Sequence, residues 1–138
     1  MDINDLKNTS DAQFKKDISF NAEMPDGTET ELVLTIKSAR NPEVKGKLGK
    51  LISQTKREWD KLDRPNVSEE VHTQVAEKVS VIDKQIARLM LVKFEGLTDG
   101  DKPYPCNKTT MEGLIDDHVW VRENIVSKAM DQTAFYNV

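Results

Sequence analysis

The sequence predicts an α+β fold, with an N-terminal β-hairpin packed on a mostly helical domain of about four helices. Three observations predict it. Between Ile18 and Ile36, apolar residues alternate with polar ones on either side of a Pro-Asp-Gly turn, the period of half-buried strands. From Pro42 to about Val92, apolar residues recur at three- and four-residue steps, as on helices with one buried face. Two further helix-start signals follow a loop rich in Gly, Pro and Asp. The length, 138 residues, is that of one domain.

Residues 1–13 read as a flexible N-terminal arm. They are polar, and only Ile3 and Leu6 offer an apolar foothold. Residues 14–138 read as a single α+β domain. The hairpin spans 18–37. Ile18, Phe20, Ala22 and Met24 alternate in its first strand, and Leu32, Leu34 and Ile36 in its second. Pro25 fixes φ and Gly27 tolerates a positive φ in the turn between them. A lone hairpin is marginal in water, so its apolar face needs a cover, and the downstream helices are the evident one.

A helix over about 42–62 starts at Asn41-Pro42-Glu43: a capping Asn, Pro at the first position and an acid in the first turn. Val44, Leu48, Leu51, Ile52, Thr55, Trp59 and Leu62 form its stripe. Gly46 and Gly49 interrupt it, either to let the hairpin approach closely or as a weak first turn. Ser68-Glu69-Glu70 starts a second long helix over 68–92, with Val71, Val75, Val79, Ile82, Ile86, Leu89 and Met90 on its stripe. The short connection makes the two helices antiparallel neighbours. A short helix over 109–116 opens on a Thr109-x-x-Glu112 capping box, or on Asn107. A last helix over 118–134, capped by Asp116 or Asp117, closes the chain.

The net charge of −4 and the 32% of charged residues fit a soluble, mildly acidic protein. Neither nucleic acid nor a membrane is expected as a partner. No apolar run approaches the roughly 18 residues of a membrane span, and the polar, acidic start is no secretory signal. Cys106 is the single cysteine, which excludes an internal disulfide and fits a reducing compartment.

Candidate chemistry is sparse. Asp99-Gly100-Asp101 has two acids of a calcium loop but no distal Glu at the required spacing, so it reads as a solvated turn. Asp116-Asp117-His118 lacks a second His or Cys at ligand spacing and reads as helix capping. Cys106 has Lys102 and Lys108 nearby but no base motif. No catalytic, cofactor-binding or metal residues are expected. Lys37 to Arg64 holds nine basic residues against four acids. It reads as the solvated side of an amphipathic helix, with steering of an acidic protein partner as its functional option. Against a nucleic-acid role, aromatics for stacking are missing, because Trp59 falls on the apolar stripe and reads as core.

The C-terminal third carries the most distinctive order. LVKFEGLTDGDKPYPCNKTT runs from Leu91 through an aromatic and a Gly (Phe94, Gly96), an acidic DG turn and Tyr104-Pro105. DDHVWVRENIVSKAMDQTAFYNV then leads into a final helix through His118-Val119-Trp120-Val121-Arg122-Glu123, with Asp131 and Phe135 near its end. This order resembles the tail assembly chaperones of long-tailed bacteriophages. Phe94 stands where that family carries Trp, and Val119 where Pro often precedes the Trp; both remain apolar. The resemblance implies a non-enzymatic chaperone in the infected cell's cytoplasm, absent from the mature virion. It would bind the tape measure protein, keep it soluble and help recruit the tail tube protein.

Phe94, Trp120, Arg122, Phe135 and Tyr136 are the expected partner-binding residues. Phe135 and Tyr136 stand evenly between core and docking surface, and Ala134 to Val138 is expected to lie in a client or self-association (homo-oligomer) surface. Two other readings remain. One is a small phage or bacterial regulator that binds another protein, such as an inhibitor of a host defence complex. The other is a nucleic-acid-binding accessory protein acting through Lys37 to Arg64.

Overall fold

A hairpin with one apolar face needs a cover, and the chain supplies it from both ends. The computed structural model describes residues 1–136, with the backbone alone at 6–11. The segment expected as an arm is a helix, α1 (Ile3–Phe14), whose N-terminus is capped by the Asp2 carboxylate accepting from Asn4 N at 2.9 Å. Its anchor is at the far end. Phe14 is buried, with the Arg40 guanidinium 5.3 Å over its ring and Tyr136 edge-on at 5.8 Å. The side chain of Leu6 lies outside the described residues.

Strands β1 (Ile18–Glu23) and β2 (Glu29–Ile36) form the expected hairpin, antiparallel, with Ile18 opposite Ile36 and Phe20 opposite Leu34. Leu32, Leu34 and Ile36 are buried, while Phe20 packs at the margin. Helices α2 (Pro42–Asp60) and α3 (Glu69–Met90) follow, capped as their sequences imply. Asn41 Oδ1 accepts from Glu43 N at 2.9 Å and Ser68 Oγ from Val71 N at 3.3 Å.

α3 does not continue to 92. Leu91 is already extended and opens β3 (Leu91–Glu95), which pairs antiparallel with β2 and gives a three-stranded sheet in the order β1-β2-β3. Leu34 faces Phe94 and Ile36 faces Leu91 across that pair. A two-residue ribbon follows, β4 (Thr98–Asp99) and β5 (Lys102–Pro103), turning at Gly100. Helix α4 (Lys108–Asp117) is capped by Asn107, in a box closed by Thr110 rather than by Thr109 and Glu112. Helix α5 (Val119–Met130) has no side-chain cap. α4 runs through Asp116 and Asp117, so neither can cap its successor. The expected helix to 134 breaks at Asp131, whose carboxylate accepts from Thr133 N at 3.0 Å and starts a 3-10 turn, Thr133–Phe135.

One sheet face, with Ile18, Leu34, Ile36, Leu91 and Phe94, joins Ile86, Met90, Ile115, Val121, Ile125 and Phe135 in the core. The opposite face is polar: Ser19 and Thr35 hydroxyls lie 2.7 Å apart and Lys93 pairs with Glu95 at 3.0 Å. Gly96 ends β3 at φ 86°, and a Cβ there would overlap the Glu31 carbonyl oxygen. The sheet's corner therefore closes only around a glycine. Gly46 and Gly49 behave differently, since a Cβ on either would meet open space and no strand approaches them.

Candidate functional site

α2 packs chiefly on α3, with little else over it. Only Val44 and Leu48, in its first two turns, are buried. Further along, Leu51 and Thr55 are half-buried against α3, which buries Val75 and Val79 in return. The outer members of the stripe stay in solvent: Ile52 is 47% exposed and Trp59 48%. This corrects the placement of Trp59 in the core. Its periodicity is that of the buried residues, but the sheet and the C-terminal helices stop before reaching it. The two helices thus form an arm whose far half has one layer of cover.

Ile52 and Trp59 are seven residues apart, two helical turns, and so lie in one row. Lys45, seven residues before Ile52, continues that row, and Lys56 borders it. Among the described residues neither lysine makes an ion pair. The other flank of α2 differs. There Glu58 pairs with Lys61 at 2.9 Å and lies 4.0 Å from Lys78, beside Gln54 and Val81 in an open cleft of about 520 Å³. One flank is therefore charge-compensated, and the Ile52–Trp59 flank is apolar with unpaired cations.

The residues expected to bind a partner do not converge. Phe94 is buried, stacked on Tyr104 at 6.1 Å, and its N–H donates to Cys106 Sγ at 3.4 Å. Phe135 is fully buried, so it belongs to the core rather than to a docking surface. The Arg122 guanidinium donates to the carbonyls of Ile115 at 2.8 Å and Asp116 at 3.3 Å. It satisfies the carbonyls at the end of α4. Trp120 is half-buried and lines a cleft of about 400 Å³ with Met24, Gly96 and Leu97. Tyr136 is 46% exposed with its ring edge on Phe14. Asn137 and Val138, the rest of the expected docking tail, lie outside the described residues.

Of the acids singled out in the sequence, Asp116 is held in an ion pair with Arg88, accepting from its Nη2 at 2.6 Å. Asp99, Asp117 and His118 share an open cleft of about 370 Å³ with Tyr104. Among the described residues no cluster of three or more His, Cys, Asp or Glu side chains is arranged to hold a metal ion. Between α3 and α5, Asp83, Ile86, Val119, Arg122 and Val126 line a cleft of about 440 Å³. Burial there holds the Asp83 carboxyl above its ordinary range, partly offset by the Arg122 charge.

The exposed row on α2 was missed because periodicity reports which residues share a face, not whether a neighbour reaches it. The excess of basic residues around it was the available signal. Among the described residues no helix is long and apolar enough to cross a membrane. No family model, curated protein or solved structure matches the chain.

Proposed function

We propose that the chain is a phage tail assembly chaperone, a non-enzymatic protein of the infected cell's cytoplasm that is left out of the mature virion. It binds the tape measure protein, keeps it soluble and helps recruit the tail tube protein. The observation that carries this reading is the arm: α2 is covered on one side only and holds Ile52 and Trp59 in solvent. A helix groove or face of this kind docks an amphipathic helix through apolar anchors. A long helical client offers many such segments, and modest sites suffice when several copies bind along it. The family-like C-terminal third supports the reading from another side. Its Gly96 closes the sheet corner, its Asp131 starts the final turn and its Phe135 completes the core, as residues that specify a shared fold would.

Co-expression with the tape measure protein tests the proposal, with the client's soluble fraction as the readout. The chain should raise that fraction, and Ile52→Asp/Trp59→Asp should abolish the rise while remaining folded by circular dichroism. An unchanged soluble fraction with the unmodified chain would reject the chaperone reading.

One observation favours a second reading. Trp59 is exposed beside Lys56, so an aromatic is available for base stacking within the basic run. Single-stranded DNA binding that weakens steeply with salt would support a nucleic-acid-binding accessory protein.

A further inference from the structure

Ile52 and Trp59 form a row on α2 that the described residues leave about half exposed, and the row has a charge of its own. Lys45 extends it and Lys56 borders it, both without ion-pair partners among the described residues. The buried Leu48 and the half-buried Thr55 bound it on the α3 side. The acids nearby, Asp60 and Asp63, stand at the Trp59 end of the row, and the lysines border the stretch from Lys45 to Lys56. The whole segment from Lys37 to Arg64 is basic within an acidic chain. An occupant must therefore match two features at once: apolar side chains spaced by helical turns, and negative charge along the edge beside them.

We propose that this row is the docking site for an amphipathic α-helix of a partner protein whose apolar stripe is edged by Asp or Glu. The inference rests on the chaperone reading only for the identity of the partner; its chemistry follows from the surface. The apolar anchors supply the holding contact. The lysines select charge and speed encounter, so the preference weakens with salt. A nucleic acid fits less well, because the row pairs its single aromatic with an aliphatic residue, and Ile52 has no stacking role. A second copy of the chain is the remaining occupant, and the test separates it.

The probes are two fluorescein-labelled synthetic helical peptides with the same leucine stripe, one edged with Glu and the other with Lys, titrated against the full chain by anisotropy. The Glu peptide should bind about tenfold tighter than the Lys peptide at low salt. Trp59→Ser should weaken it about tenfold, and Lys45→Glu/Lys56→Glu should reverse the preference. All three positions are exposed, and circular dichroism melts check that each variant is folded. Should Trp59→Ser misfold, the lysine pair alone decides the matter.

Equal affinity for both peptides overturns the proposal, as does an unchanged preference in the lysine variant. Tighter binding of a dT oligonucleotide that is lost in the same variant overturns it in favour of nucleic acid. Sedimentation showing a dimer that Trp59→Ser dissociates overturns it in favour of self-association. Client solubilisation is a separate readout. If the peptide preference holds while the tape measure protein stays insoluble, the docking site survives and the chaperone reading falls. If solubilisation survives Trp59→Ser and the lysine reversal, the chaperone reading survives and this site falls.

Discussion

Replacing Gly96 by alanine perturbs the fold at the one glycine whose added Cβ would meet another atom among the described residues. Gly96 sits at φ 86°, a conformation that L side chains rarely adopt, and its added Cβ would overlap the Glu31 carbonyl oxygen. The φ strain alone is worth about 1–2 kcal/mol. Relieving the overlap requires backbone to move, because the obstacle is a main-chain atom with no rotamer to change, and forced displacement of packed structure adds about 1–3 kcal/mol. The nearest contacts to give way are those joining Val33 to Glu95 and Leu34 to Phe94. Gly96→Ala should therefore lose about 2–5 kcal/mol in a urea titration of the full chain.

Gly27 is the internal control. It has φ 87° but open space around a Cβ, so Gly27→Ala should show only the strain, about 1–2 kcal/mol. If Gly96→Ala costs no more than Gly27→Ala, the close approach of β3's end to β2 is wrong. The role assigned to the aromatic-Gly segment would go with it.

Other substitutions test the rest of the framework. Phe135→Ala should cost about 3–5 kcal/mol by denaturant titration, and a chain ending after Gln132 should be destabilised at least as much, since the fully buried Phe135 is removed. Arg122→Ala should cost about 1.5–3 kcal/mol by stranding the Ile115 and Asp116 carbonyls at the end of α4; thermal melts against Arg122→Lys measure how much the two-pronged donor matters. Asp83→Asn bears on pH. The folded carboxyl is held above its ordinary value of 3.8 by burial, so its charge destabilises the fold at neutral pH and the penalty disappears on protonation. The Asn variant should be slightly more stable than the parent at pH 7, and the difference should vanish as pH falls through the carboxylate range.

The sequence disclosed those elements whose pattern depends on local periodicity. Leu32, Leu34 and Ile36 alternate and face a core, and Val75, Val79, Ile82 and Ile86 recur at helical spacing and are buried. Capping was legible where the side chain was adjacent, as at Asn41 and Ser68. What escaped depends on partners distant in sequence. Leu91–Glu95 prolongs an apolar run with no Gly or Pro to separate it from α3, and it becomes a strand because β2 offers a free edge. α1 has little apolar periodicity and is anchored by Phe14 at its end, against Arg40 and Tyr136. Phe135 stood near the chain end, where exposure is the usual expectation, and the turn begun by Asp131 folds it inward. Trp59 failed in the opposite direction. It keeps perfect step with Leu48 and Thr55, yet the helix outruns its cover. The candidate site was therefore visible only as a basic run until the arm's exposed flank was seen.

The central claim is that α2 meets the client. Hydrogen–deuterium exchange of the full chain, alone and with the proposed client, the tape measure protein, tests it most directly. Amides from Leu48 to Asp60 should slow on client binding while the polar sheet face around Ser19, Thr35 and Lys93 stays unchanged. Protection confined to that sheet face or to the C-terminal turn, with α2 exchanging as in the free chain, would contradict it.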